Sequence, residues 1–465
     1  MLQEQYDLLV IGAGPAGLSC AAVAAENGLD VLLLDEQELP GGQIYRSVSG
    51  RNAQKNFLSK EDRNDGLDLV ARFKNSGAVY LPKTTVWEAE PGHVMCSTDG
   101  TARKIYAQCI CIATGAMERP VPFDGWTLPG VMSAGSADLM YKSAGIVPHG
   151  PVVVAGNGPL IPLVTNHLVE LGVEVAGVLD TSPIQNKALS MLHMPLALVD
   201  IPFLFKGLKM VVNLFRSGVK QYMGASDIKA EGDGQLSRVS FTHNGETKTL
   251  EAATLLVHEG MIPRTHVSRM LKLAHKWDAT QRYWYPKADK FGRSSVDSIY
   301  VVGDGQKVHG VAAAISKGEL AGMDIARRLK FLSEPAAERQ IKPAKQRLFK
   351  ALAPRGFVDA FFAPKKGLFA VADDVLVCRC EGVTAGQIRQ AVKEGCEDVN
   401  EIKLRTRCGM GPCQGRMCGS ALAEIAAASL ETEVPHVGAL NIRPPVRPVT
   451  VRELRDVKCD CGCSL

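Results

Sequence analysis

The stretch "DLLVIGAGPAGLSCAAVAAENGLDVLLLDEQ", from Asp7 to Gln37, constrains this chain more than any other. "DLLVIG" is a short apolar run that stops at glycine. The alanine-rich stretch after it reads as a close-packed helix, and "DVLLLD" supplies a second buried strand. Unbroken apolar runs suit strands covered by helices on both faces, so the fold class is α/β with a parallel sheet. Gly12, Gly14 and Gly17 stand in G-x-G-x-x-G register at the first turn. The first glycine permits the turn, the second lets a pyrophosphate approach the backbone, and the third lets helix pack on strand. Pro15 and Ala16 complete the turn, where free amides at the helix start face phosphates. Asp35, followed by Glu36, closes the second strand near the spacing of about 20 residues expected for a carboxylate that accepts from a ribose hydroxyl. Together these mark a nucleotide site; the bland alternative is a glycine turn in an ordinary α/β unit.

Three more motifs follow in order: "PGGQIYR" with Gly42 and Gln43, "CICIATGAMERP" with Ala113, Thr114 and Gly115, and "SIYVVGDGQ" with Gly303 and Asp304. In this order they resemble the two-dinucleotide-domain flavoprotein disulfide-reductase superfamily. The resemblance implies FAD: the Ala113–Gly115 turn ends the first half of its domain, and Asp304 faces its ribityl or phosphate side. The helix after "GDGQ" would point its N-terminus at the flavin. His309, in that stretch, reads as a packed histidine rather than a flavin neighbour. Ser294 stands where the family's late motif usually has threonine. "GPVVVAGNGPLIPLVTNHLVELGVEVAGVLDTS" repeats the strand–turn–helix–strand pattern. Gly156 and Gly158 hold the first two glycine positions, Ile161 occupies the third, and Asp180 ends the second strand. NAD, another adenine nucleotide and a structural remnant remain open here; no arginine after Asp180 would receive a 2′-phosphate. The superfamily's redox dithiol is missing, because no cysteine lies between Cys111 and Cys378. Electrons need another donor or acceptor.

Nine of the thirteen cysteines fall after residue 377. Cys20, Cys96, Cys109 and Cys111 sit in apolar stretches as small core residues, whereas the late cluster reads as a metal module in a reducing compartment. Around it, "VTAGQIRQAVKEG" reads as a threonine-capped helix and "GRMCGSALAEIAAAS" as a second. "VCRCEGV" followed by "TRCGMGPCQGRMC" resembles the bacterioferritin-associated-ferredoxin type of [2Fe–2S] domain, with C-x-C, a helical linker of roughly thirty residues, and two close cysteines. Cys413 follows Cys380 after 32 residues and Cys408 after 27. The resemblance therefore implies Cys378, Cys380, Cys413 and Cys418 as ligands, with Cys408 the alternate. Zinc is the rival for any four-cysteine set; iron–sulfur ligation matches C-x-C better.

From residue 5 to about 450 the chain resembles the larger, α-type subunit of heteromeric dye-linked amine dehydrogenases: opine oxidases, D-hydroxyproline and proline dehydrogenases, and hydrogen cyanide synthase. "DEQELPGGQIYR" and "TRCGMGPCQGR" carry this most specifically. The resemblance implies an electron-transfer role in a hetero-oligomer. Substrate oxidation would occur on a partner flavin subunit similar to D-amino-acid oxidases, and a small ferredoxin-like subunit would complete the complex. No catalytic residue can be named in this chain. A self-sufficient NADH-dependent reductase and a nucleotide-binding scaffold are the competing readings.

The expected domains are 1–147 and 263–333 as halves of the FAD domain, 148–262 as a second dinucleotide-binding-like domain, and 334–372 as a linker. A [2Fe–2S] domain at 373–430 and a tail at 431–465 follow. An apolar, lysine-bearing insertion at about 188–223 suggests packing on the flavin domain or a partner, with a membrane surface as the lesser alternative. A net charge of +4 over 465 residues does not suggest a nucleic-acid binder. With neither a leader nor an uninterrupted apolar run of about 20 residues, the expected setting is cytoplasmic, allowing for a peripheral position at the inner face of the cell membrane.

Overall fold

The computed structural model describes residues 3–50 and 60–455. The opening unit forms strand Gln5–Ile11, helix Pro15–Glu26 and strand Val31–Leu34. The strands pair in parallel with Leu8 opposite Val31, and all of Val31–Leu34 is buried. They belong to a seven-stranded sheet in the order Val79–Leu81, Val31–Leu34, Gln5–Ile11, Thr101–Ile112, His93–Thr98, Thr84–Glu90, with Ile299–Val301 also paired to Thr101–Ile112. The C-terminal end of that long strand is flanked in parallel by Gln5–Ile11 and Ile299–Val301. Residues nearly two hundred positions later in sequence thus re-enter the same sheet, where all three residues of the short strand Ile299–Val301 are buried. Helix Val311–Arg328 then packs along Pro15–Glu26. Their approach is so close that a Cβ on Gly318 would lie 2.1 Å from the carbonyl of Ala16.

The middle domain is a five-stranded sheet in the order Gln221–Met223, Val175–Asp180, Val152–Asn157, Thr254–Glu259, Val131–Ser133. Helices Ala134–Ala144 and Leu160–Glu170 bury Ala137, Ile161 and Val164 against one face. On the other, the antiparallel strands Ser226–Glu231, Arg238–His243 and Glu246–Glu251 contribute Val239 and Phe241. The chain crosses between domains at the antiparallel pair Ala116–Glu118 and Met261–Pro263. The first crossing therefore precedes the expected boundary at residue 147: Val131–Ser133 and Ala134–Ala144 belong to the middle domain. Neither carries a motif, so the glycine turn at 156 drew the boundary too late.

The expected linker is also corrected. Its first half is helix Glu334–Leu352, which buries Ala337, Ile341 and Ala344 against Val311–Arg328. Apolar positions 337, 341, 344 and 348 follow the helical period, and Pro335 lies in the first turn, where its missing N–H costs nothing. A short helix, Arg355–Phe361, leads on to the cysteine domain.

In that domain, helix Ala385–Lys393 starts with a capping box between Thr384 and Gln387, and helix Gly419–Ser429 follows directly on Cys418. Both bury alanine and isoleucine faces in one core with Cys378, Cys408 and Cys418. The tail returns to the flavin domain, where Val446 donates its amide to the Trp87 carbonyl at 2.7 Å and is buried beside the large sheet. Cys459, Cys461 and Cys463 lie outside the described residues.

Candidate flavin site and cysteine centre

The four expected flavin motifs meet. A Cβ on Gly17 would stand 1.9 Å from the Gly12 carbonyl, one on Gly12 2.5 Å from the Ala113 carbonyl, and one on Gly303 2.6 Å from Ala16 Cβ. Gly305 lies close to Gly115 and Thr114, and a Cβ on Gly42 would meet Gly14 Cα at 2.8 Å. Between Gly12 and Gly17, both closely packed, Gly14 keeps open space: a Cβ there would meet nothing nearer than Gly42 Cα at 3.9 Å. That opening above the helix start at Pro15 is a cradle of the kind a pyrophosphate fills, and the residues fit FAD.

Asp35 holds the cradle's shape. Its Oδ2 accepts from the Ala13 amide at 2.6 Å and its Oδ1 from the Gln37 amide at 2.7 Å; burial pushes its carboxyl above the usual range. Glu36 faces outward and pairs with Arg447 at 2.9 Å. Gln43 is exposed in the loop over the turn. Thr114 donates its hydroxyl to the Arg264 carbonyl at 3.2 Å, while the Arg264 amide donates to the Gly115 carbonyl at 3.0 Å. Asp304 accepts through Oδ1 from the amides of His309 and Gly310, fixing the start of helix Val311–Arg328. His309 has a specific partner that no motif announced: Lys317 donates to its Nδ1 at 2.9 Å. Burial and that ammonium push His309 down to about 2, and burial lowers Lys317 to about 8.

The second glycine turn differs. A Cβ on Gly156 would stand 1.8 Å from the His258 carbonyl, and one on Gly158 2.7 Å from the His258 ring. That ring is buried and bonded to Glu118 through Nδ1 at 2.8 Å. Asn157, at the x of G-x-G, donates to the carbonyls of Phe362 and Ala363 at 3.2 and 3.1 Å, and Asn186 donates to Ala363 at 2.8 Å. Asp180 accepts from the Ser182 amide at 2.8 Å. Here the glycines make room for the protein's own histidine, and the chain after Arg355–Phe361 lies against the turn. The buried Ile161 is accommodated in the sheet's helix-covered core.

All five cysteines converge. The thiols of Cys378, Cys408 and Cys418 lie within 4.8 Å of one another. Cys380 lies against Cys413, with Gly411 packed so tightly on it that a Cβ there would be 2.2 Å from Cys380 Cβ. Cys408, expected to stand aside, is thus within the buried triad, while Cys413 pairs with exposed Cys380. The reason is local. Arg407 adopts a left-handed conformation that ends helix Val399–Thr406 and turns Cys408 inward. Hydrogen bonds from Cys408 and Cys418, then from the amides of Gly409 and Glu381, hold the Cys378 thiol down to about 2. Amides aimed at a thiolate among soft ligands suit an iron–sulfur cluster, and an all-thiolate set also accepts zinc. The loop is tied to the flavin domain: His266, two residues beyond Arg264, bonds through Nε2 to the Gln414 carbonyl at 3.0 Å.

The pattern of the pyridine nucleotide-disulphide oxidoreductase family matches residues 6–318, and that of the sarcosine oxidase A3 domain matches 374–455. An opine oxidase subunit of Rhizobium meliloti, the A-type one, is 37% identical over 455 residues, spanning 97% of this chain and 99% of that one. Hydrogen cyanide synthase subunit HcnB of Pseudomonas aeruginosa is 32% identical, spanning 95% and 96%. Among solved structures, L-proline dehydrogenase from P. horikoshii superimposes with a TM-score of 0.69 over 97% of this chain and 79% of that one, at 18% identity, a likeness of fold. The relatives are named as subunits of oxidases and synthases, and the two-domain α/β fold is that of flavin oxidoreductases. The chain therefore belongs to the pyridine nucleotide-disulphide oxidoreductase family, in its branch of opine oxidase A-type and hydrogen cyanide synthase B-type subunits.

Proposed function

We propose that this chain is the FAD- and [2Fe–2S]-containing electron-transfer subunit of a multi-subunit dehydrogenase or oxidase acting on an amino acid or amino-acid-derived amine. The donor class is opine, hydroxyproline, proline or glycine, and its C–N bond is oxidised on a partner flavin subunit similar to D-amino-acid oxidases. A small ferredoxin-like subunit completes the assembly, which works in the cytoplasm.

One observation carries the reading. The segment that clamps the Ala113–Gly115 turn through Arg264 also binds the Cys413 loop through His266. When bound, FAD accepts electrons in pairs and an iron–sulfur cluster passes them singly. Gly12, Gly14 and Gly17 admit the pyrophosphate, Asp35 braces that turn, and Asp304 anchors the helix start facing the flavin. Gly303 and Gly42 let Ala16 and Gly14 approach them closely. Cys378, Cys380, Cys413 and Cys418 are the ligands, and Cys408 lies against the same centre as the alternate. The absence of a dithiol between Cys111 and Cys378 leaves this centre as the electron outlet.

The NADH-reductase alternative needs an open second turn, and His258 with the Phe362–Ala363 segment counts against it. The ligand set is tested by visible absorbance of two variants. Cys413→Ser should abolish the cluster bands while Cys408→Ser retains them. The reverse pattern makes Cys408 the ligand; loss in neither variant defeats the ligand set, and colourless zinc in the wild type defeats the iron–sulfur reading.

A further inference from the structure

The segment Ile184–Arg216 is long and apolar enough to span a bilayer by composition, yet only 11% of its most apolar window is buried. It is not one rod. Helix Ile184–Ser190 and the short turns that follow pack on Arg355–Phe361, and a break at Asp200, whose carboxylate caps Phe203, starts helix Ile201–Arg216. That last helix, 16 residues long, reaches roughly 24 Å at 1.5 Å per residue, short of a hydrocarbon core of about 30 Å. It is anchored on one side only. Leu214 enters the middle-domain core, and Asn166 donates to the Met210 carbonyl at 3.0 Å.

Its opposite side is apolar and bare. Ile201, Phe205, Leu208 and Phe215 recur at intervals of four, three and seven, so they form one stripe, and they are 62%, 67%, 59% and 66% exposed. Leu192, before the break, is 78% exposed. At about 100° per residue, Lys209 and Arg216 fall within roughly 80° of Ile201, bordering the stripe. From 184 to 220 the chain carries five lysines and arginines against one acid, Asp200, which is used as a cap. Lys206 pairs with Asp62 at 2.8 Å and Lys187 lies 4.0 Å from Asp180, so Lys209, Arg216 and Lys220 are the cations that face outward.

We propose that this segment lies in the plane of an anionic lipid surface. The stripe enters the acyl boundary, and Lys209, Arg216 and Lys220 meet the headgroups. The cations border the stripe, and no carboxylate of Ile201–Arg216 offsets them. A bare apolar face edged by basic residues whose stems can follow the apolar boundary is the pattern of helices lying in the membrane interface. The cationic surplus fits phosphatidylglycerol-type headgroups. The test needs neither cofactor, so its failure would leave the electron-transfer reading untouched.

The purified full chain is sedimented with vesicles of phosphatidylethanolamine and phosphatidylglycerol, or of phosphatidylcholine alone, and its oligomeric state is measured by light scattering. The expected result is retention on the anionic vesicles alone, weakened by salt. Retention should fall roughly tenfold or more in Phe205→Ser/Leu208→Ser and in Lys209→Glu/Arg216→Glu. Because these side chains face outward, melting temperature should be unchanged, which separates lost binding from lost folding. No retention of the wild type, or equal retention of the charge-reversed variant, overturns the proposal. So does a wild-type oligomer that Phe205→Ser/Leu208→Ser splits into monomers, since the face would then be a protein interface.

Discussion

Gly14 and Gly17 are three positions apart and carry opposite burdens. A methyl on Gly17 would collide with the Gly12 carbonyl, which is backbone and cannot swing aside, whereas one on Gly14 enters open space. Gly17→Ala should therefore cost at least about 2 kcal/mol of stability, in the range of overpacked sites. Gly14→Ala should leave the melting temperature of the cofactor-free chain nearly unchanged while weakening FAD retention at least tenfold. Thermal melts with and without added FAD separate the two. His275 gives a pH signature. Its Nδ1 donates to the Leu273 carbonyl, its Nε2 accepts from Ser268, and burial beside Arg269 holds it down to about 4. The unfolded chain takes up that proton below about 6.5 and the folded one does not until about 4, so the contribution to stability is lost as pH falls through this window. The slope is at most about 1.4 kcal/mol per pH unit. His275→Phe should melt lower than wild type at pH 8, for want of the Ser268 bond, yet show a flatter loss between pH 6.5 and 4.

At the scale of elements, the opening unit was legible because its strands are continuous aliphatic runs and its turn has three glycines in register. Thr384 announced its helix as a cap, and the structure adds Gln387 as the other half of a capping box; Thr384→Ala should cost about 1 kcal/mol. Helix Glu334–Leu352 was hidden by its lysines and prolines, although its buried side repeats on the helical period. Ile341→Ala should cost about 2–4 kcal/mol, measurable by denaturant unfolding, because the cavity opens between two packed helices. If residues 334–352 were a mere connector, it would cost nothing. The strand Val131–Ser133 could not be read from the sequence: a three-residue strand has no periodicity, and only pairing with Thr254–Glu259 defines it. At the cysteine centre, spacing named the cluster but not its internal arrangement, because the left-handed turn at Arg407 that buries Cys408 depends on tertiary packing. The Lys317–His309 contact likewise joins side chains eight residues apart only because Asp304 folds the loop back.

Across the whole molecule, two similar turns have diverged. One holds open space at Gly14 beside motifs gathered from four parts of the chain. At the other, the His258 ring lies against Gly158 and Asn157 binds the segment leaving Arg355–Phe361. On the proposed reading the second turn is no hydride entrance and the flavin domain receives its electrons from a partner; relatives named as subunits are consistent with such an assembly. The most direct test is an anaerobic titration of the FAD-loaded chain with NADH, followed by visible absorbance and then by dithionite. The expected result is no bleaching at stoichiometric NADH and reduction of both centres by dithionite. Bleaching of the flavin and then of the cluster by stoichiometric NADH would contradict supply from a partner and make the middle domain a working hydride port.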